Sequence, residues 1–281
     1  AVVLLDGLIA STAPEVLVSQ ASRLRLVVLV HMPLGHRPPD GDARRRERAA
    51  LAAVTATVTT SAWTRRRLVE LYDLPRRRIH VAEPGVEPAE MAPGSEPGEE
   101  LLCVGAVTFE KGHDVLLEAL ASIASLSWHC ACVGSLDRDP AFVERLRRRS
   151  LDAGLGERVS FLGPRTGADL DRSYASADLL VLASRAESYG MVVTEALARG
   201  LPIVAAEVGG LVEALGEART RPGLLVAPED PAALGRALGA WLGDPELRAR
   251  LRRAARDRRH SLPRWSTTAS VVAGVLAEAS R

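Results

Sequence analysis

Short unbroken apolar runs alternate with longer amphipathic stretches along most of the chain. Residues 1–5, 24–30, 55–60 and 79–82 read as strands, because a run of four to eight apolar or β-branched residues marks a strand buried on both faces. Helices are expected after Pro14, over 43–54 and over 62–72, the last with Ser61 as its N-cap, and the Pro- and Gly-rich stretch 35–42 reads as a loop. From Leu101 the alternation becomes regular. Strands are expected at 101–107, 129–133, 159–162, 177–183, 202–206 and 224–226. Helices are expected over 112–123, 140–153, 169–175, from about Gly190, over 231–242 and over 245–260. A last helix over 265–279 follows Pro263.

Strands alternating with helices predict βαβ units and an α/β fold of parallel, doubly wound sheets. Four strands make only part of such a domain, so residues 1–86 read as a partial first domain, and a preceding segment is expected because residue 1 already lies in a strand. Residues 87–100, rich in Pro and Gly, read as a linker, and 101–262 as a complete second domain. The final stretch, 263–281, is expected to pack back on the first domain.

Length and composition support two domains: 281 residues, 47% of them hydrophobic, bury more core than one domain holds. No apolar run approaches the ~18–20 residues of a membrane span, and no signal-peptide pattern opens the sequence as given. Cys103, Cys130 and Cys132 are odd in number, sit in strand-type runs and lack metal-ligand spacing, which predicts core thiols in a reduced, cytoplasmic setting. The net charge of +1 is unevenly spread: residues 1–86 carry 13 Arg against 8 Asp and Glu. The runs 44–46, 65–67 and 76–78 supply most of that excess. They read as solvated helix faces or as a peripheral contact with an anionic membrane at its inner face. Without interleaved aromatics they do not point to nucleic acid.

The candidate chemistry gathers at three strand ends. Between the strands expected at 177–183 and 202–206 lies Glu187-Ser188-Tyr189-Gly190-Met191-Val192-Val193-Thr194-Glu195, a loop that enters a helix at Gly190. A helix N-terminus favours phosphate, whereas an ionised carboxylate accepts hydrogen bonds and so suits sugar or ribose hydroxyls. The second strand end is Gly105 to Gly112, which places Lys111 where a helix starts. Lys111 is the one lysine among 36 basic residues, which points to a site that needs a compact point charge. The third is Gly163-Pro164-Arg165, a loop placed to hold a base. The sequence carries no Gly-x-Gly-x-x-Gly, no phosphate-binding Gly-Lys-Ser/Thr loop, no Gly-x-Ser-x-Gly elbow and no metal-ligand cluster. That counts against a dinucleotide oxidoreductase, a P-loop ATPase, a hydrolase and a metal site.

Glu187 and Glu195 with seven residues between them, Gly190 included, together with Gly105, Glu110-Lys111-Gly112 and Gly209-Gly210, resemble the donor domain of retaining glycosyltransferases of the GT-B fold, in the family-4 group. Ser61-Ala62-Trp63-Thr64 and Pro84-Gly85-Val86 are similar to that family's late first domain and linker. The resemblance implies two Rossmann-like domains and transfer of a hexose from a nucleoside diphosphate sugar to an acceptor hydroxyl, with no cofactor or metal. It implies that Glu195 binds the donor ribose and that Glu187 faces the sugar. Backbone amides from Ser188 to Val192 then meet sugar and diphosphate, Lys111 contacts the phosphates, and Gly105, Gly163 and Arg165 complete the donor site. His31 is similar in place to a histidine near the reaction centre. Two features depart from the family pattern. Ala106 stands where an arginine often accompanies the lysine, and the first domain lacks its opening strand and glycine-rich loop. A donor-binding module without turnover and a nucleotide-sugar epimerase are the alternative readings.

Overall fold

The structure, a computed structural model, describes residues 1–36, 41–216 and 220–281. Two compact units are present, one comprising Ala1–Gly85 with Pro263–Arg281 and the other Val86–Leu262. In the first, β1 (Val2–Asp6), α1 (Gly7–Thr12), α2 (Pro14–Gln20), β2 (Arg25–Val30), α3 (Gly41–Ala53), β3 (Ala56–Thr59), α4 (Ala62–Tyr72) and β4 (Ile79–Val81) follow in order. In the second come β5 (Glu100–Val104), α5 (His113–Ser122), β6 (His129–Val133), α6 (Pro140–Asp152), β7 (Val159–Phe161), α7 (Gly167–Ala175), β8 (Leu179–Leu182), α8 (Met191–Ala198), β9 (Ile203–Ala206), α9 (Leu211–Leu215), β10 (Gly223–Val226), α10 (Pro231–Gly243) and α11 (Pro245–Arg259). The last helix, α12 (Trp265–Ala279), belongs to the first unit.

The first sheet runs β1-β2-β3-β4, all parallel. Successive residues of β2 feed opposite cores. Leu26, Val28 and Val30 pack with Leu17, Leu51 and Leu68 from the helices on one face, while Val27 packs with Ala56, Val58 and, from α12, Val275 and Ala279 on the other. Burial on both faces is why these strands are uninterrupted apolar runs. Ser61 accepts from the Thr64 N–H at 3.0 Å and so caps α4 as expected. The expected loop 35–42 lies partly outside the described residues. Its described beginning is a 3-10 turn, Leu34–His36.

Two helices escaped the sequence pattern, α1 and α9. Both are too short to show a period. Asp6 caps α1 by accepting from the N–H groups of Leu8 and Ile9, a contact that substitutes for helix length. Within the arginine runs, Arg45, Arg46 and Arg67 pair with Asp42, Glu15 and Glu70. Among the described residues no helix is long and apolar enough to cross a membrane.

The second sheet has the order β10-β9-β8-β5-β6-β7, all parallel. The chain winds outward from β5 to β7, returns to the other side of β5 at β8, and winds outward again to β10. That reversal puts a topological switch point between β5 and β8, the place where ligands of open α/β sheets bind beyond the strands' carboxyl ends. The three cysteines are buried in β5 and β6 with free thiols. Hydrogen bonding with Cys132 and burial push the Cys103 thiol well up, so it stays neutral.

The stretch 87–100, expected as a linker, carries no helix or strand before Glu100 yet is fastened to the second unit. The Ala92 N–H donates to the Arg199 carbonyl at 2.9 Å, Trp241 Nε1 to the Gly98 carbonyl at 2.7 Å, and Arg252 Nη2 to the Ser95 carbonyl at 2.6 Å. Asp178, 1% exposed at the entrance to β8, is the centre of this attachment. It accepts from the N–H and Oγ of Ser95, from the Glu100 N–H at 3.0 Å and from Arg252 at 3.0 Å. Removing one partner of a buried charged network leaves the others desolvated and unpaired. Asp178→Ala is therefore expected to destabilise the second unit by about 3 kcal/mol. Asp178→Asn, which retains an acceptor, is expected to cost less, and chemical denaturation followed by tryptophan fluorescence measures both.

Candidate functional site

Two loops meet at the switch point. The first leaves β5 at Gly105 and forms a 3-10 turn, Phe109–Lys111, before Gly112 starts α5. Gly112 has φ +67, and a Cβ built on it lies 1.9 Å from the Ala183 carbonyl oxygen at the end of β8. Only glycine meets both conditions, so this position lets the two strand ends close on one another. The second loop runs from Ala183 to Gly190, the N-cap of α8. It is clamped from behind by Gly209, with φ +56, where a Cβ would sit 1.7 Å from the Glu187 carbonyl oxygen, and the Gly210 N–H donates to that same oxygen at 3.0 Å.

The loops bring Lys111 Nζ and Glu187 Oε1 together as an ion pair. The Ser184 hydroxyl donates to the same carboxylate oxygen at 3.3 Å. Glu187 is 9% exposed and Lys111 is half-buried, so the pair is shielded while the ammonium keeps a route to solvent. The sequence assigned these two side chains separate tasks, and the structure adds that they neutralise each other. A Cβ at Gly105 would meet the Lys111 methylenes at 3.6–3.7 Å, which shows the lysine stem lying along the end of β5.

Around this pair, the backbone from Ser188 through Tyr189, Gly190, Met191 and Val192 enters α8. The first N–H groups of a helix have no intrahelical acceptor and face the end of the helix axis. Glu195 lies one turn further in, half-buried, and its Oε2 accepts from the Tyr174 hydroxyl at 2.7 Å. Burial, with the adjacent Glu195 charge, pushes the Tyr174 hydroxyl far up, so the phenol remains a donor. The Arg199 guanidinium lies 4.6 Å from the Tyr174 ring centroid and donates to the Glu195 carbonyl at 2.9 Å.

Gly163 and Arg165 follow β7 at the outer edge of the sheet, separated from the Lys111 and Glu187 pair by β6. The Gly163 carbonyl accepts from the Gly134 N–H at 2.9 Å, and Arg165 Nη1 donates to Ser173 Oγ of α7 at 2.9 Å. His31 belongs to the first unit, at the end of β2, exposed and 3.6 Å from Asp6 Oδ2 at the end of β1. Among the described residues no group of three or more His, Cys, Asp or Glu side chains converges on a metal-sized site.

The sequence reading missed Arg185, Asp114 and Tyr174. Arg185 and Asp114 form a bidentate pair, with Nη1 to Oδ1 and Nη2 to Oδ2 both at 2.9 Å. Burial pushes the Asp114 carboxyl up, but the hydrogen bonds and charge of Arg185, with the N–H groups of Asp114 and Val115, outweigh it and hold the carboxyl below its ordinary value. Asp114 in the first turn of α5, three residues after Lys111, was the one available hint.

A 3-2-1-4-5-6 parallel sheet with a cation, a helix N-terminus and two carboxylates near its switch point, together with a second parallel sheet, is an α/β protein of two Rossmann-like units, the GT-B class. Residues 92–258 match the family model described as glycosyl transferases group 1, and the chain belongs to that family. Residues 8–90 match the model described as Glycosyltransferase Family 4. A D-inositol 3-phosphate glycosyltransferase of Nocardia farcinica is 35% identical over 257 residues, covering 84% of this chain and 55% of that protein. The chain thus spans little more than half the length of this curated relative. Among solved structures, sucrose-phosphate synthase from Thermosynechococcus elongatus superposes with a TM-score of 0.84 at 23% identity, over 99% of this chain and 73% of that one. Anabaena HepE, in complex with UDP and glucose, superposes with a TM-score of 0.81 at 22% identity, over 96% and 80%. These two likenesses establish the fold.

A carboxylate held low in the folded state stabilises the fold fully above its unfolded value, about 3.9, and that contribution disappears as pH falls through the lower folded value. The difference in melting temperature between the parent chain and Asp114→Asn is therefore expected to be largest near neutral pH and to shrink below about pH 4. Thermal melts across that range check it; a constant difference would exclude the Arg185 contact as the cause.

Proposed function

We propose that the chain carries the donor half of a retaining glycosyltransferase, which moves a hexose from a nucleoside diphosphate sugar to an acceptor hydroxyl. The observation that carries the reading is the Lys111 and Glu187 pair beside the N-terminus of α8, at the switch point of the second sheet. In this reading the diphosphate takes Lys111 as its counter-charge, with the first amides of α8, and no metal is required. Glu187, released from the ammonium, accepts from sugar hydroxyls, and Glu195, oriented by Tyr174, accepts from the ribose. Gly163 and Arg165 lie on the side where the base extends.

The bond between the anomeric carbon and the diphosphate oxygen breaks, and the electron pair leaves with the diphosphate. Lys111 and the helix end stabilise the charge that accumulates there. The acceptor hydroxyl attacks from the face the diphosphate leaves, passes its proton to the departing phosphate oxygen, and so retains the anomeric configuration. The relatives named for D-inositol 3-phosphate support a phosphorylated cyclic polyol as acceptor. His31, at a strand end of the first unit, is the candidate acceptor-side group.

Two measurements test the donor assignment. Isothermal calorimetry with UDP in the presence of EDTA is expected to show Lys111→Ala weakening UDP by tenfold or more, about 1.4 kcal/mol, while uridine affinity is unchanged. Equal UDP affinity of variant and parent would sink the phosphate role. Glu195→Ala is expected to weaken UDP by several-fold more than 2′-deoxy-UDP, since only the ribonucleotide has a 2′-hydroxyl whose acceptor is lost; equal losses exclude a contact between Glu195 and that hydroxyl.

A further inference from the structure

Arg185 lies two residues before Glu187 and is committed almost wholly to protein partners. A guanidinium has five N–H donors. Here Nε reaches Glu229 Oε1 at 2.7 Å, Nη1 donates to the Phe109 carbonyl at 2.6 Å and to Asp114 Oδ1 at 2.9 Å, and Nη2 donates to Asp114 Oδ2 at 2.9 Å. The guanidinium carbon lies 3.8 Å from the Phe109 ring centroid, and the Arg185 N–H donates to the Glu110 carbonyl at 2.8 Å. Phe109 and Glu110 are the two residues immediately before Lys111. One side chain therefore holds the segment that carries Lys111 against the segment that carries Glu187.

Glu229 adds a third strand end. It follows β10 and is one of two described residues other than glycine with positive φ, at +56. A residue with a Cβ adopts that conformation at a cost, and here the turn delivers the carboxylate to Arg185. Asp230, next in sequence, caps α10 by accepting from the Ala233 N–H at 2.8 Å, which fixes the turn from its other side. The two carboxylates neutralise the guanidinium, so Arg185 does not replace the phosphate cation absent at Ala106. Lysine has no planar fork and does not reproduce this set of contacts.

We propose that Arg185 is the positioning residue of the donor site, joining the loops after β5, β8 and β10 so that Lys111 and Glu187 meet in register. The proposal builds on the donor reading but is tested first without nucleotide. Because Lys111 is the only lysine, lysine labelled with carbon-13 at Cε gives one side-chain resonance. Glu187→Gln defines its unpaired position. Arg185→Ala is expected to move the resonance at least half of the way to that position, and Arg185→Lys to restore little of it. Arg149→Ala, which breaks an exposed pair with Glu118, is expected to leave it within the line width. A folded Arg185→Ala chain with the parent resonance overturns the proposal. Should that variant not fold, Asp114→Asn and Glu229→Gln each remove one anchor and are expected to give smaller shifts in the same direction; no shift in either overturns it equally. In calorimetry, Arg185→Ala is expected to lower UDP affinity tenfold or more with uridine unchanged, and unchanged UDP affinity counts against the proposal. A parent chain that binds no UDP overturns the donor reading, whereas the nucleotide-free resonance still decides the role of Arg185.

Discussion

The reversal of winding direction at β5 is the constraint on which the second unit depends. Two neighbouring parallel strands whose following helices lie on opposite faces leave a crevice between their carboxyl ends, and nothing in the sheet fills it. The loops that leave β5 and β8 must nevertheless approach closely if their side chains are to interact. Gly112 against the Ala183 carbonyl and Gly209 against the Glu187 carbonyl make that approach sterically available. The ion pair of Lys111 and Glu187 is its electrostatic consequence.

The pair also offsets the cost of holding two charges at a shielded strand end. A shielded carboxylate or ammonium left alone is penalised by desolvation, and each here supplies the other's counter-charge. In the proposed donor reading, exchange of Glu187 for a diphosphate replaces one anionic partner of Lys111 by another, so the ammonium is never left without a counter-charge. Around this pair stands a set of further contacts: Arg185 with Asp114, Glu229 and the Phe109 carbonyl, and Glu195 with Tyr174.

Much of the architecture was legible before any coordinates. The strand at His129–Val133 and the helix at Trp265–Ala279 fall where the apolar pattern put them, because burial on both faces or a single amphipathic stripe leaves a clear period. Ends were legible where capping chemistry is local: Ser61 before α4, Asp139 before Pro140 and Gly190 before α8. The short helices α1 and α9 were not, since five or six residues carry no measurable period. Nor was the attachment of 86–99 to the second unit, which rests on Asp178 and Trp241, both remote in sequence.

The sequence alone determined the residue types at the strand ends, the helix start at Gly190, the singular lysine and the family to which these belong, because each is a local signal of composition and spacing. Tertiary structure alone decided the strand order, and with it which loops are neighbours. It paired Lys111 with Glu187 across 76 positions, gave Arg185 partners 71 and 44 positions away, and placed Gly163 and Arg165 beyond β6 rather than beside the pair. The physical reason is that pairing of charges depends on distance in space. In a doubly wound sheet that distance is set by the crossovers, about which the residues at either strand end carry no information.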